Sequence, residues 1–176
     1  MNDLEKLFLT ELKDMYDGEQ QLVKALPEME KSAISEELKH AFHEHWEQTR
    51  TQVNRLETVF RELGEEPRRK SCKGLEGIID EGETVASEFR DNTALDAGLI
   101  AAGQKAEHYE IASYGTLCTW AEELGKSQVA ALLKQNLSEE KEADEKLSHL
   151  AEQYRNAEAM RHNTKQKEGL LSKIVG

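Results

Sequence analysis

Glu19, His45, Glu107, Glu140 and Asp144 each stand where a helical repeat calls for an apolar side chain. Read in steps of three and four, one stripe runs Leu12, Met15, Glu19, Leu22, Leu26, and a second Phe42, His45, Thr49, Val53, Leu56. A third runs Ile100, Gln104, Glu107, Ile111, Tyr114, Cys118, and a fourth Leu133, Asn136, Glu140, Asp144, Leu147. An isolated buried carboxylate is costly unless paired or bound to a metal. One such break is ordinary on a stripe with a wet edge; one on every stripe suggests a common cause. Glu110 is a further candidate, because Glu107 and Glu110 at i, i+3 share a face, as do Glu140 and Asp144 at i, i+4. Carboxylates with a single imidazole suit Fe²⁺ or Mn²⁺ better than a thiolate-seeking ion, and four of them would neutralise two divalent cations. A polar core network, with some of the acids facing water, accounts for the same pattern without an ion.

Four long helices must position these residues. The periodicity predicts them over about Asn2 to Lys31, Ser35 to Leu63, Thr93 to Leu124 and Ser127 to Arg155. Ser35 followed by Glu36 and Glu37 suits a helix start. Gly64 with Pro67 suits the end of the second helix, and Gly125 a tight break before the fourth. The breaks near Ser32 and Gly125 are short, which makes antiparallel hairpins. The long connection between them contains GLEGIIDEGETVASEF, which predicts a short helix of its own. Two hairpins joined by one long crossover is the ferritin-like layout; an up-down bundle with a decorated middle loop is the other arrangement these lengths allow. At about 1.5 Å rise per residue, the polar positions of each hairpin fall at similar heights. That the two hairpins align with each other is an assumption at this stage.

Composition bounds the rest. The 176 residues fit one domain, expected over 1–155, with a tail at 156–176. Two readings of the tail stay open: an unstructured end, or a short helix docking through Leu170, Leu171 and Ile174. A net charge of −12 argues against nucleic acid and anionic membranes as partners. No stretch is apolar enough to span a membrane, and the N-terminus lacks the pattern of a signal peptide. Cys72 and Cys118 form no disulfide framework or zinc pattern. A reducing, cytoplasmic setting is therefore expected. Arg68, Arg69 and Lys70 could lower the pKa of Cys72, although an inert loop cysteine is the simpler reading. His40, His43, His149 and His162 are read as surface residues and His108 as the edge of the site. Tyr16, Tyr109 and Tyr114 are read as packing around it.

The chain resembles the bacterial YciE/YciF ferritin-like family. The resemblance spans about residues 3 to 155 and is strongest in AGLIAAGQKAEHYEIASYGTL, residues 97–117. LKDMYDGEQQLVKALPEM, AFHEHWEQT, CKGLEGIIDEG and LSEEKEADEKLSHLA support it. It implies an all-α ferritin-like four-helix bundle, a homodimer, a di-iron centre and an association with stress responses. It marks Glu19, His45, Glu107, Glu110, Glu140 and Asp144 as the metal ligands to test, with iron or manganese as the cofactor. The wider superfamily carries Glu-x-x-His on its second and fourth helices. Here Phe42 precedes His45 by three and Ala143 follows Glu140 by three, so superfamily analogy does not carry a reaction over. The expectations are a di-metal protein handling O₂, peroxide or iron, or a non-enzymatic helical dimer with a structural role; iron storage is a weaker third. Whether the chain is an enzyme is left open.

Overall fold

The computed structural model describes residues 1–160. The docking expectation for Leu170, Leu171 and Ile174, and the position of His162, lie outside them. Five α-helices form: α1 Asp3–Ser32, α2 Glu36–Glu62, α3 Lys73–Glu88, α4 Leu95–Glu123 and α5 Ser127–Leu150, followed by a π-helical turn at Ala151–Arg155. No described residue is in a strand.

Local chemistry sets the helix ends. Asn2 and Glu5 form a reciprocal capping box on α1, and the Ser35 side chain accepts from Leu38 N–H at the start of α2. The two hairpin-forming helices α2 and α4 stop in the same way. Gly64 and Gly125 both take φ of 70°, a conformation that favours glycine. The next residue's N–H then reaches back to the last turn, Glu65 to Phe60 O at 2.9 Å and Lys126 to Ala121 O at 2.8 Å.

Around the bundle the order is α1, α2, α5, α4, with α3 lying across α4 and α1. The core divides into two apolar halves. One joins Phe8, Leu12 and Met15 of α1 with Leu56 and Phe60 of α2, Leu117 and Ala121 of α4, and Val129 and Leu133 of α5. The other joins Leu22 and Leu26 with Leu38 and Phe42, Leu99 and Ile100, Leu147 and Leu150. The start of α1 thus meets the end of α2, the end of α4 and the start of α5. The four long helices run up, down, down, up, so α2 and α4 are parallel and the chain must return along the whole bundle between them. Residues 63–94, carrying α3, make that return. The ferritin-like layout is present.

The two halves also supply the alignment that helix counting left assumed. On every helix the residues between the halves are the polar ones: Glu19; His45, Thr49 and Gln52; Glu107 and Glu110; Asn136 and Glu140. The apolar blocks fix the register, and each buried Leu or Phe contributes about 2 kcal/mol to holding it. A polar layer across the middle of the bundle follows from that register.

Candidate metal centre

His45 from α2, Glu107 and Glu110 from α4 and Glu140 from α5 form the centre of this layer. Each offers a potential ligand atom, and these atoms all lie within 4.8 Å of one another. His45 Nε2 is 3.1 Å from Glu107 Oε1 and 3.7 Å from Glu140 Oε2. Glu19 enters from α1, where the Tyr114 hydroxyl donates to its Oε1. All five residues are buried.

The electrostatics are unusual. Burial pushes the Glu107 carboxyl up to about 8, even though sharing a hydrogen bond with Glu140 pulls it down. Burial also drives Glu19, Glu110 and Glu140 well above the ordinary carboxylate range. Mutual repulsion adds to this for Glu19 and Glu110, both acted on by Glu140; on Glu140 itself the pull of His45 comes next after burial, ahead of the repulsion of Glu107. Several buried atoms have no hydrogen-bond partner: Glu19 Oε2, His45 Nδ1, Glu107 Oε2, both oxygens of Glu110 and Glu140 Oε2. Native proteins rarely leave so many buried polar atoms unmatched in one place. A divalent cation fits this donor set, since carboxylate oxygens and one imidazole are what Fe²⁺ and Mn²⁺ accept.

A second ring of polar side chains holds the first. Asn136 Nδ2 donates to the Tyr114 hydroxyl at 2.8 Å, and Arg55 Nη1 donates to Asn136 Oδ1. Arg55 also grips Glu139 through two bonds of 2.9 Å. Gln52 Nε2 donates to Glu140 Oε1 and to Glu139 Oε2, the second at 3.1 Å. Such partners fix the orientation of ligating groups. The Arg55 guanidinium is committed to Glu139 and Asn136, and its pull on Glu19 is small beside the effect of burial.

Five of the six sequence candidates meet in the layer. Asp144 stands apart, part-exposed at the edge, where it accepts from Gln104 at 3.1 Å and faces His108 at 3.3 Å. The buried position on that turn of α5 is Ala143. Gln52 was missed because the stripe was stepped from Thr49 to Val53; a step of three lands on Gln52, which is fully buried. Cys72 is not activated by its basic neighbours. Arg69 and Lys70 face Asp17 and Asp14, and burial pushes the Cys72 thiol up to about 11. His40, His43 and His149 are exposed, as read from the sequence.

The fold and site together define a ferritin-like helical bundle with a buried histidine and carboxylate cluster whose geometry can hold a metal. The chain belongs to the DUF892 family, described as a domain of unknown function, whose model matches residues 3–160. It is 45% identical to protein YciF of Escherichia coli K12 over 152 residues, covering 86% of this chain and 92% of that one. The crystal structure of the E. coli stress protein YciF superposes with a TM-score of 0.82 at 44% identity, over 86% of this chain and 96% of that one. YcfI of Rhodopseudomonas palustris, described as a candidate structural protein, is also 44% identical, with a TM-score of 0.81 over 84% and 94% of the two chains. No helix among the described residues is long and apolar enough to cross a membrane.

Proposed function

We propose that this protein is a carboxylate-bridged di-metal protein, holding two iron or manganese ions and serving a stress-related role in handling iron, O₂ or peroxide. The observation that carries this reading is the set of buried, partnerless carboxylate oxygens, above all the two of Glu110. Glu19, Glu107, Glu110 and Glu140 carry four formal negative charges when ionised, which match two divalent ions. In this reading those residues and His45 are the ligands, and Asp144 contributes only at the edge.

A pair of Fe²⁺ ions bound here would supply two electrons to one oxidant. The chain's own part is to hold and orient. Tyr114 fixes Glu19, and Gln52 fixes Glu140. The apolar halves above and below exclude water. The likeness to YciF supports a stress-related role, and the missing Glu-x-x-His pairs leave the reaction itself unassigned.

Metal analysis of protein produced in iron- or manganese-replete medium tests the reading. Close to two equivalents are expected, falling sharply in Glu107→Ala. Less than about a tenth of an equivalent, unchanged in the variant, would end it. A second reading is a non-enzymatic helical homodimer with a structural role, favoured by the likeness to YcfI, which is described as a candidate structural protein, and consistent with an ion-free core whose carboxyl pKa values are raised. Protonated, these groups could stand as a polar core network without an ion. That reading predicts no metal and unaltered behaviour in Glu140→Gln.

A further inference from the structure

A cleft of about 540 Å³ opens between α2 and α5 and reaches inward to His45 and Glu107. The cavities between α1 and α3, between α1 and α2, and at the Met1 end are lined by no cluster residue. Two other sides are covered. On the α1 and α4 side, the returning chain is tied down by Lys70 N–H to Lys13 O and by Cys72 N–H to Asp17, and α3 packs over both helices. Between α1 and α2, Trp46 Nε1 donates to Val23 O at 3.1 Å, and Arg50 stacks over the Trp46 ring at 4.7 Å. The cavity on that face is lined by residues such as Tyr16, Gln20 and Glu57, none of them in the cluster.

The mouth of the α2/α5 cleft is acidic. Glu44 and Glu47 are one turn apart on α2, and Glu139 and Glu142 one turn apart on α5. Lys146 is the one cation lining it and is paired with Glu44. Glu139 is held by Arg55. Glu47 and Glu142 are exposed, and neither faces a cation among the described ion pairs. At the floor, His45 is only 6% exposed and its Nδ1 has no partner. The small side chain of Ala143 also lines the cleft, on the α5 turn that follows Glu140.

We propose that this cleft is the route by which a divalent cation reaches the buried centre, with Glu47 and Glu142 as the carboxylates that draw it into the mouth and Lys146 as an opposing charge. The inference rests on the di-metal reading and adds a path and a direction to it. Acidic clefts walled by protein focus the field and raise the association rate of a cation, and salt weakens the effect. The residues named stand at the surface, so changing them alters rate more than final occupancy.

Rapid mixing of the metal-free full-length protein with Co²⁺, followed by its visible absorption, tests this. The double variant E47Q/E142Q is expected to load about tenfold more slowly at low ionic strength, with the same final spectrum and stoichiometry. Added salt should narrow the gap. Lys146→Gln is expected to load faster than the unaltered protein. Loading of all three proteins at one rate would overturn the route while leaving the metal reading intact. If the unaltered protein takes up no Co²⁺, the metal reading falls and the route falls with it.

Discussion

Asp17 on α1 and Glu110 on α4 are both buried carboxylates, 5% and 0% exposed, and their surroundings differ in kind. Asp17 accepts from Cys72 N–H at 2.9 Å, from Gln21 Nε2 at 2.7 Å and from Arg69 Nε at 2.6 Å. Burial alone would raise its pKa; these donors outweigh burial and hold it below the usual value. Asp96 is also supplied with donors, accepting from Ile34 N–H at 2.7 Å and Ser35 N–H at 3.0 Å where α1 turns into α2. Glu110 has no donor at all, and Glu140, Glu19 and Glu107 repel its charge. A buried acid whose lone pairs are filled by the chain is a structural tie. One whose lone pairs are left open is waiting for a proton or a cation.

The largest effect expected from this contrast is on the tie. Asp17→Ala leaves the Cys72 N–H and Arg69 without their acceptor and should destabilise the protein by about 3 kcal/mol. Urea unfolding measures it, and a loss below about 1 kcal/mol would show that the crossover is held by other means. Asp96→Ala comes next, at about 1–2 kcal/mol, since it removes the acceptor for two N–H groups at the start of α2. A negligible change there would place Asp96 outside the ties.

Glu110→Gln should act the other way on stability. It keeps the shape and removes a carboxyl that burial disfavours, so the metal-free protein should melt at the same temperature or higher. Affinity for Mn²⁺ should fall at least about tenfold, as measured by equilibrium dialysis. A variant that melts earlier and binds Mn²⁺ normally would put Glu110 among the ties and break the comparison.

The difference between the two kinds of acid was only partly legible in the sequence. The helices were readable because their ends carry local chemistry: Ser35 as a cap, Gly64 and Gly125 as stops. The layer was readable because the stripes are otherwise apolar. Choosing a step of three or four was the weak point. At Thr49 the true step is three and reaches Gln52; at Glu140 it is three and reaches Ala143, which leaves Asp144 at the edge. At Glu107 the true step is again three and reaches Glu110, which is fully buried in the layer, while Ile111 is only half-buried. Asp14 and Asp17 gave no signal because their burial is a long-range effect. They lie within KDMYDGE, and what buries them is a crossover that returns more than fifty residues later, as in the Asp17 to Cys72 contact.

The smallest expected effect is also the one that sets both regions against each other, through pH. The folded pKa of Glu107 lies near 8, above its usual value of 4.5. Between those values the metal-free folded state binds more protons than the unfolded chain, so stability falls as pH rises and levels off above about 8. Asp17, with its pKa lowered, has the opposite sign: its contribution is present above the usual Asp value of 3.8 and is lost as pH falls through the folded one. The metal-free protein should therefore melt a few degrees lower at pH 8.5 than at pH 6, and lose its crossover ties only in strong acid. Saturating Mn²⁺ should cancel or reverse the upper slope, because ligands must shed their protons to bind the ion. Calorimetry across pH 5 to 9, with and without Mn²⁺, measures both. A metal-free melting temperature that stays flat through that range would mean the layer carboxyls ionise freely inside the bundle, and the open lone pairs would then need an explanation other than a missing cation.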